Sequence, residues 1–132
     1  MALVPELSVR DWIASLDFYR NVIGFAVEYG RPDEGFAMLV LDDARLMIDQ
    51  IGKGRTFDEA LIARHPLGVG MNLEIRVPDV DAIAARVAPD RVVIPLEDKV
   101  YGVGEQAVAQ RQMVVRDPDG YLLRPWQPLG AE

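Results

Sequence analysis

Apolar and polar residues alternate with period two over Val4 to Val9 and again over Asn72 to Val77. Each stretch reads as a half-buried strand. Each runs into an aspartate, Asp11 or Asp79, and then into a segment whose apolar residues recur every three to four positions. Trp12, Leu16, Tyr19 and Ile23 form such a stripe in the first segment, and Val80, Ile83 and Val87 in the second. Both segments are predicted helices, with Asp11 and Asp79 as N-caps accepting from first-turn amides. Gly24 and the pair Pro89-Asp90 punctuate the helix ends.

Three strand candidates follow each helix. In the first half they span 25–31, 35–41 and 45–51, broken by Pro32-Asp33-Glu34-Gly35 and Asp42-Asp43. In the second they span 92–97, 107–115 and 121–127, the last two joined by Asp117-Pro118-Asp119-Gly120, a hairpin-turn signal. Residues 97–106, with Gly102 and Gly104, read as an inserted loop, and Phe57 to Arg64 as a short helix. A shift of 68 positions, the step from Glu6 to Glu74, lays Val9 on Val77, Asp11 on Asp79 and Ala14 on Ala82. The chain is therefore expected to be a tandem repeat. The fold class is α+β, with two tandem βαβββ modules forming a mostly antiparallel curved sheet around a cleft, helices on the outer face. The expected organisation is a single domain over 1–132, with module one at 3–51, a connector at 52–69 and module two at 70–128.

Alternation also sorts each strand by face. With Leu7, Val9, Leu73, Ile75, Val77, Leu46, Ile48 and Leu123 behind, the front face carries Glu6, Ser8, Met47, Asp49, Asn72, Glu74, Arg76, Leu122, Arg124 and Trp126. Charged side chains on an inner sheet face are costly unless paired or wet, so this face is either solvated or built to hold a ligand. Glu6, Asp49, Asn72, Glu74, Arg124 and Trp126 are the candidate ligand-binding residues from alternation alone.

Composition narrows the class. The 132 residues carry a formal charge of −7 and no cysteine. The acidity argues against a nucleic-acid partner and is compatible with a cationic ligand. Without cysteine there is no disulfide framework and no thiolate chemistry. No apolar run approaches 18 residues and the first residues lack a basic n-region, so a cytoplasmic protein with no membrane partner is expected.

Leu7-Ser8-Val9-Arg10-Asp11, Ser15-Leu16-Asp17-Phe18-Tyr19-Arg20-Asn21, Gly24-Phe25, Val77-Pro78-Asp79-Val80-Asp81-Ala82 and the Asp117–Gly120 turn together resemble the vicinal-oxygen-chelate superfamily. That superfamily includes glyoxalase I, extradiol dioxygenases, and fosfomycin- and bleomycin-resistance proteins. The resemblance covers Pro5 to Gln127. It implies that metal-dependent members place four His or Glu ligands where this chain has Val4, Met47 or its neighbour, Asn72 and Arg124. Val and Met are not credible ligands for a divalent ion, and Arg brings a fixed positive charge. The only histidine, His65, lies in the connector and reads as a turn residue.

His65-Pro66-Leu67-Gly68-Val69-Gly70, Asn72-Leu73-Glu74-Ile75 and Ala109-Gln110-Arg111-Gln112-Met113 are similar to stretches of the bleomycin-resistance branch. That likeness implies a cofactor-free and metal-free binder of an antibiotic-like ligand and a homodimer, often with exchange of the first strand. It also implies clefts where carboxylates meet a cationic ligand and aromatics stack on it. Glu97 joins the candidate carboxylates on this basis, with Phe36, Tyr101 and Trp126 as stacking residues. Arg124 departs from such a cleft unless it pairs with Glu6 or Glu74. Two enzymatic readings stand beside this one: a metal-dependent lyase, isomerase or dioxygenase, and metal-independent chemistry with Glu74 or Glu6 as base beside Arg124.

Overall fold

The structure, a computed structural model, describes residues 3–53 and 65–130. The expected helix over 57–64 lies outside the described residues. Eight strands are described: β1 (Glu6–Val9), β2 (Ala26–Arg31), β3 (Phe36–Leu41), β4 (Ala44–Gln50), β5 (Asn72–Arg76), β6 (Val92–Val103), β7 (Gln106–Arg116) and β8 (Leu122–Pro128). Helices α1 (Trp12–Asp17) and α2 (Val80–Arg86) follow β1 and β5. The strands form two four-stranded sheets of matching topology, β1-β4-β3-β2 and β5-β8-β7-β6. In each, the first strand runs parallel to the last of its module and the other pairs are antiparallel. This is the paired βαβββ architecture that the repeat predicts.

Both predicted caps form. Asp11 Oδ1 accepts from the amides of Ile13 and Ala14 at 3.1 and 3.2 Å, and Asp79 Oδ1 accepts from Ala82 at 3.1 Å. A second pair of caps was not legible in the sequence. Gln50 Oε1, at the end of β4, accepts from the Trp12 amide at 2.9 Å, and Gln127 Oε1 on β8 accepts from Val80 at 2.6 Å. Each module thus ties its helix start to its last strand, satisfying first-turn donors that would otherwise be orphaned. Asp79→Ala is expected to cost about 1 kcal/mol of stability, as caps of this kind do, read as a lower urea midpoint at unchanged slope.

The first helix departs from its predicted stripe. α1 stops at Asp17 and the chain continues as a π-helical turn over Phe18–Ile23, with the Gly24 amide donating to Tyr19 O at 3.0 Å. One extra residue per turn rotates the buried face, so Ser15, Phe18, Tyr19 and Ile23 are buried while Trp12 and Leu16 are partly covered. Gly24 closes the turn at φ +110°, a conformation that suits glycine. Helices and sheet backs share one core, in which Tyr19, Leu39, Ile48, Val80, Ile83 and Leu123 are almost fully enclosed.

The expected loop over 97–106 is corrected. β6 continues to Val103 and pairs with β7 in register down to Val103↔Gln106, making a long hairpin arm. Asp98 sits opposite Arg111 and binds it at 2.7 Å, and Arg111 also reaches Asp81 on α2 at 3.1 Å. The arm is exposed along most of β6. No apolar alternation marks it, and Gly102 sits within the ladder opposite Ala107 instead of breaking it. The final expected strand, and the reversal at Asp117-Pro118-Asp119-Gly120 before it, are as predicted: the Gly120 amide donates to Asp117 O at 3.1 Å and Gly120 takes φ +94°.

Candidate functional site

Strand register fixes which side chains share a face. On the first sheet Ser8, Asp49, Phe36 and Arg31 stand abreast in one row, and Glu6, Met47, Met38 and Tyr29 in the next. Leu7, Ile48 and Leu39 point behind into the core. On the second sheet Glu74 is registered with Arg124, Arg76 with Trp126 and Trp126 with Gln112. Beyond them Glu97 lies opposite Gln112 on the hairpin arm. The structure therefore places Glu6, Phe36 and Asp49 on the front of the first sheet. It places Asn72, Glu74, Glu97, Tyr101, Arg124 and Trp126 on the second.

The second face holds the larger connected group. Glu74 Oε1 lies 3.9 Å from Arg124 Nη2, a loose ion pair between cross-strand neighbours, while the Arg124 Nε is buried with no hydrogen-bond partner among the described residues. Arg76 lies over the Trp126 ring with its Cζ 5.6 Å from the centroid. Gln112 organises the rest. Its Nε2 donates to Glu97 Oε2 at 3.2 Å and to the Tyr101 hydroxyl at 2.9 Å, while its Oε1 accepts from Gln110 Nε2 at 2.8 Å. Gln110 and Gln112 are buried polar residues absent from the expected site. The alternation of Ala109 to Met113 could have found them, since it puts both glutamines on the front. A filled network of this kind holds Glu97 and Tyr101 in fixed positions.

On the first face Asp49 is only 8 % exposed and Phe36 is buried beside it. Burial raises the Asp49 carboxyl above its ordinary value, the charge of Glu34 adds to this, and Arg31 opposes it. Because the folded-state value lies above the unfolded one, this carboxyl favours folding fully below the unfolded pKa. That contribution is lost as pH rises through the folded value. Asp49→Asn puts a permanently neutral group there. The variant is expected to be more stable than the parent at pH 7, with the difference closing as pH falls to the ordinary carboxylate value of 3.8, measured as urea midpoints across that range.

The modules are joined by carboxylates of the Asp117–Gly120 turn. Asp117 Oδ2 accepts from the Tyr19 hydroxyl at 2.7 Å, and Asp119 Oδ1 accepts from the Arg10 amide and Nε at 3.0 and 2.9 Å. The Tyr121 hydroxyl donates to Ser8 O at 2.9 Å. Tyr121 thereby anchors β1, whose neighbouring Glu6 faces the front. A cleft of about 270 Å³ also lies at the seam, between Leu3, Pro5, Arg45 and Leu46 on one side and Leu73, Glu74 and Ile75 on the other. Glu74 is the one candidate that lines it.

The positions at which the resemblance implies metal ligands do not fit a divalent ion. Val4 and Met47 offer no hard donor, Asn72 is exposed at the start of β5, and Arg124 is a cation held by Glu74. Among the described residues no three His, Cys, Asp or Glu side chains gather in a metal-binding arrangement. Among the same residues no helix is long and apolar enough to cross a membrane.

With this geometry in view, known proteins supply the family. TioX from Micromonospora sp. ML1 is 25% identical, with a TM-score of 0.67 over 100% of this chain and 99% of that one. A glyoxalase/bleomycin resistance protein/dioxygenase from Alicyclobacillus acidocaldarius shares 15% identity at a TM-score of 0.62, over 98% and 92% of the two chains. A superfamily member from Vibrio splendidus 12B01 is 35% identical over 94% and 95%, at a TM-score of 0.45. No curated protein matches the chain. The family profile for the Glyoxalase/Bleomycin resistance protein/Dioxygenase superfamily matches residues 3–124. The chain belongs to that superfamily.

Proposed function

We propose that this chain is a metal-free binding protein of the bleomycin-resistance kind, which sequesters a small cationic, aromatic ligand without transforming it. The observation that carries the reading is the front of the second sheet. There Trp126 stands in register with Gln112, Gln112 holds Glu97 and Tyr101, and Glu74 lies across from Arg124 on the neighbouring strand. The positions where metal chemistry would need imidazoles and a carboxylate carry Val4, Met47, Asn72 and Arg124 instead. Flat rings stack on aromatic faces and cationic arms meet carboxylates, so this lining suits such a ligand.

The reading includes a homodimer in which a second copy completes the cleft, with or without exchange of the first strand. Val93, Ile94, Leu96, Val100, Tyr101 and Val103 leave the hairpin arm with an exposed apolar surface, the kind of surface a second copy would cover. Calorimetric titration with bleomycin, metal-free and copper-loaded, tests the reading on protein assayed for metal, with sedimentation giving the assembly state. Saturable heat near one ligand per subunit, on a dimer, is expected. No heat at high micromolar drug removes bleomycin as the ligand.

The Glu74–Arg124 pair also favours a second reading, in which Glu74 abstracts a proton and Arg124 steadies the anion formed. It predicts product formation that Glu74→Gln abolishes, where the binding reading predicts none.

A further inference from the structure

The Arg31 guanidinium lies over the face of Phe36, its Cζ 4.1 Å from the ring centroid, and 5.9 Å from the centre of Tyr29. The two rings are 5.9 Å apart and inclined at 37°, so they lie side by side on one side of the cation, with Phe36 the nearer. Arg31 Nε is 3.2 Å from Glu34 Oε2, and Asp49 stands opposite Phe36 on the next strand. Two aromatic faces with two carboxylates are the recognition chemistry of an organic cation.

The local backbone builds this arrangement in advance. Pro32–Glu34 form a single 3-10 turn closed by Gly35 at φ +64°. A side chain at Gly35 would press to 2.7 Å from Gln50 Cβ, so only glycine allows the turn to lie this close to β4. The reversal brings Glu34 back onto Arg31 and starts β3 with Phe36 directly across from it.

We propose that this row is a subsite for an organic cation, occupied in the free protein by the chain's own Arg31, which a ligand must displace. The proposal rests on the reading of the chain as a binder of a cationic ligand and specifies where the charged group is received. Arg31 acts as a competitor in cis. Its side chain is half exposed, so it can swing into solvent without opening the core. Intrinsic affinity is then reduced by the fraction of molecules in which the seat is free. Removing the competitor also leaves the Glu34 and Asp49 carboxylates facing the ligand alone.

The test uses benzyltrimethylammonium, a permanent cation with one ring, titrated into the parent protein, Arg31→Gln, and Arg31→Gln combined with Phe36→Leu. Arg31→Gln is expected to bind the probe roughly threefold to tenfold more tightly than the parent, the range set by one exposed cation–π seat and its ion pair. The double variant is expected to lose that gain. A second readout needs no substitution. In the parent protein the Arg31 Nε–Hε resonance, shifted by the Phe36 ring, moves toward its solvent-exposed position as the probe is added.

Equal affinity of parent and Arg31→Gln, with an unmoved Arg31 resonance, overturns the proposal. If bleomycin still binds the parent in that case, the binding reading stands and only the cation seat falls. A gain for the probe in Arg31→Gln without any bleomycin binding supports the seat and removes that drug as its ligand.

Discussion

Asp119→Ala is expected to destabilise the protein by about 3 kcal/mol, the typical cost of removing one partner from a buried, charge-assisted cluster. Asp119 is 1 % exposed and serves three donors of the first module: the Arg10 amide, Arg10 Nε and the Ser15 hydroxyl, the last at 3.3 Å. Arg10 is half exposed and recovers water when the carboxylate is lost, so most of the cost falls on the buried Ser15 hydroxyl and the Arg10 amide. Asp119→Asn keeps one acceptor oxygen and should recover part of the loss. Urea denaturation measures both, and a change below about 1 kcal/mol for the alanine variant would show that the Asp119 contacts add little to the docking of the modules.

The same turn presents Asp117 to Tyr19, and burial raises both groups above their ordinary values. Asp117 also accepts from the amides of Asp119 and Tyr121, each at 2.9 Å, so the turn is braced from within as well as docked. This docking sets β1 against the start of β8 through Tyr121 and Ser8. Stability and site geometry are therefore linked through one tetrapeptide.

Trp126→Ala is expected to weaken ligand binding on the order of thirtyfold, since it removes a large stacking surface worth about 2 kcal/mol. Trp126 is half buried on β8 in register with Gln112, so the indole is a wall of the proposed cleft and only partly a piece of the core. The fold should survive with a modest fall in its urea midpoint. Trp126→Phe should retain much of the affinity. Titrating the two variants in parallel separates stacking from general damage, because a merely structural role would lower stability and leave the affinity of the folded fraction unchanged.

The sequence carried the modules well and the relation between them poorly. Period-two alternation put Glu74 and Arg124 on one face, and the structure finds them cross-strand neighbours. Alternation gives the side of a sheet but not which sheets' faces meet, so the candidates fall three on one sheet and six on the other. The Tyr19–Asp117 bond joins residues 98 positions apart, and the Asp117–Gly120 segment was readable only as a turn. The hairpin arm escaped because Asp98, Lys99 and Gly102 look like loop residues until Arg111 and Ala107 are seen across from them. Arg31 carried no signal either: its place over Phe36 depends on the tight turn at Gly35 that returns the chain onto itself.

Incubation of excess bleomycin with the protein, with and without added Zn²⁺, Ni²⁺, Fe²⁺ or Mn²⁺, followed by mass spectrometry of all recovered drug, tests the central claim most directly. The account predicts drug retained at about one molecule per subunit and recovered with unchanged mass under every condition. Drug converted in excess of the protein present, with or without metal, would contradict it and make the chain an enzyme.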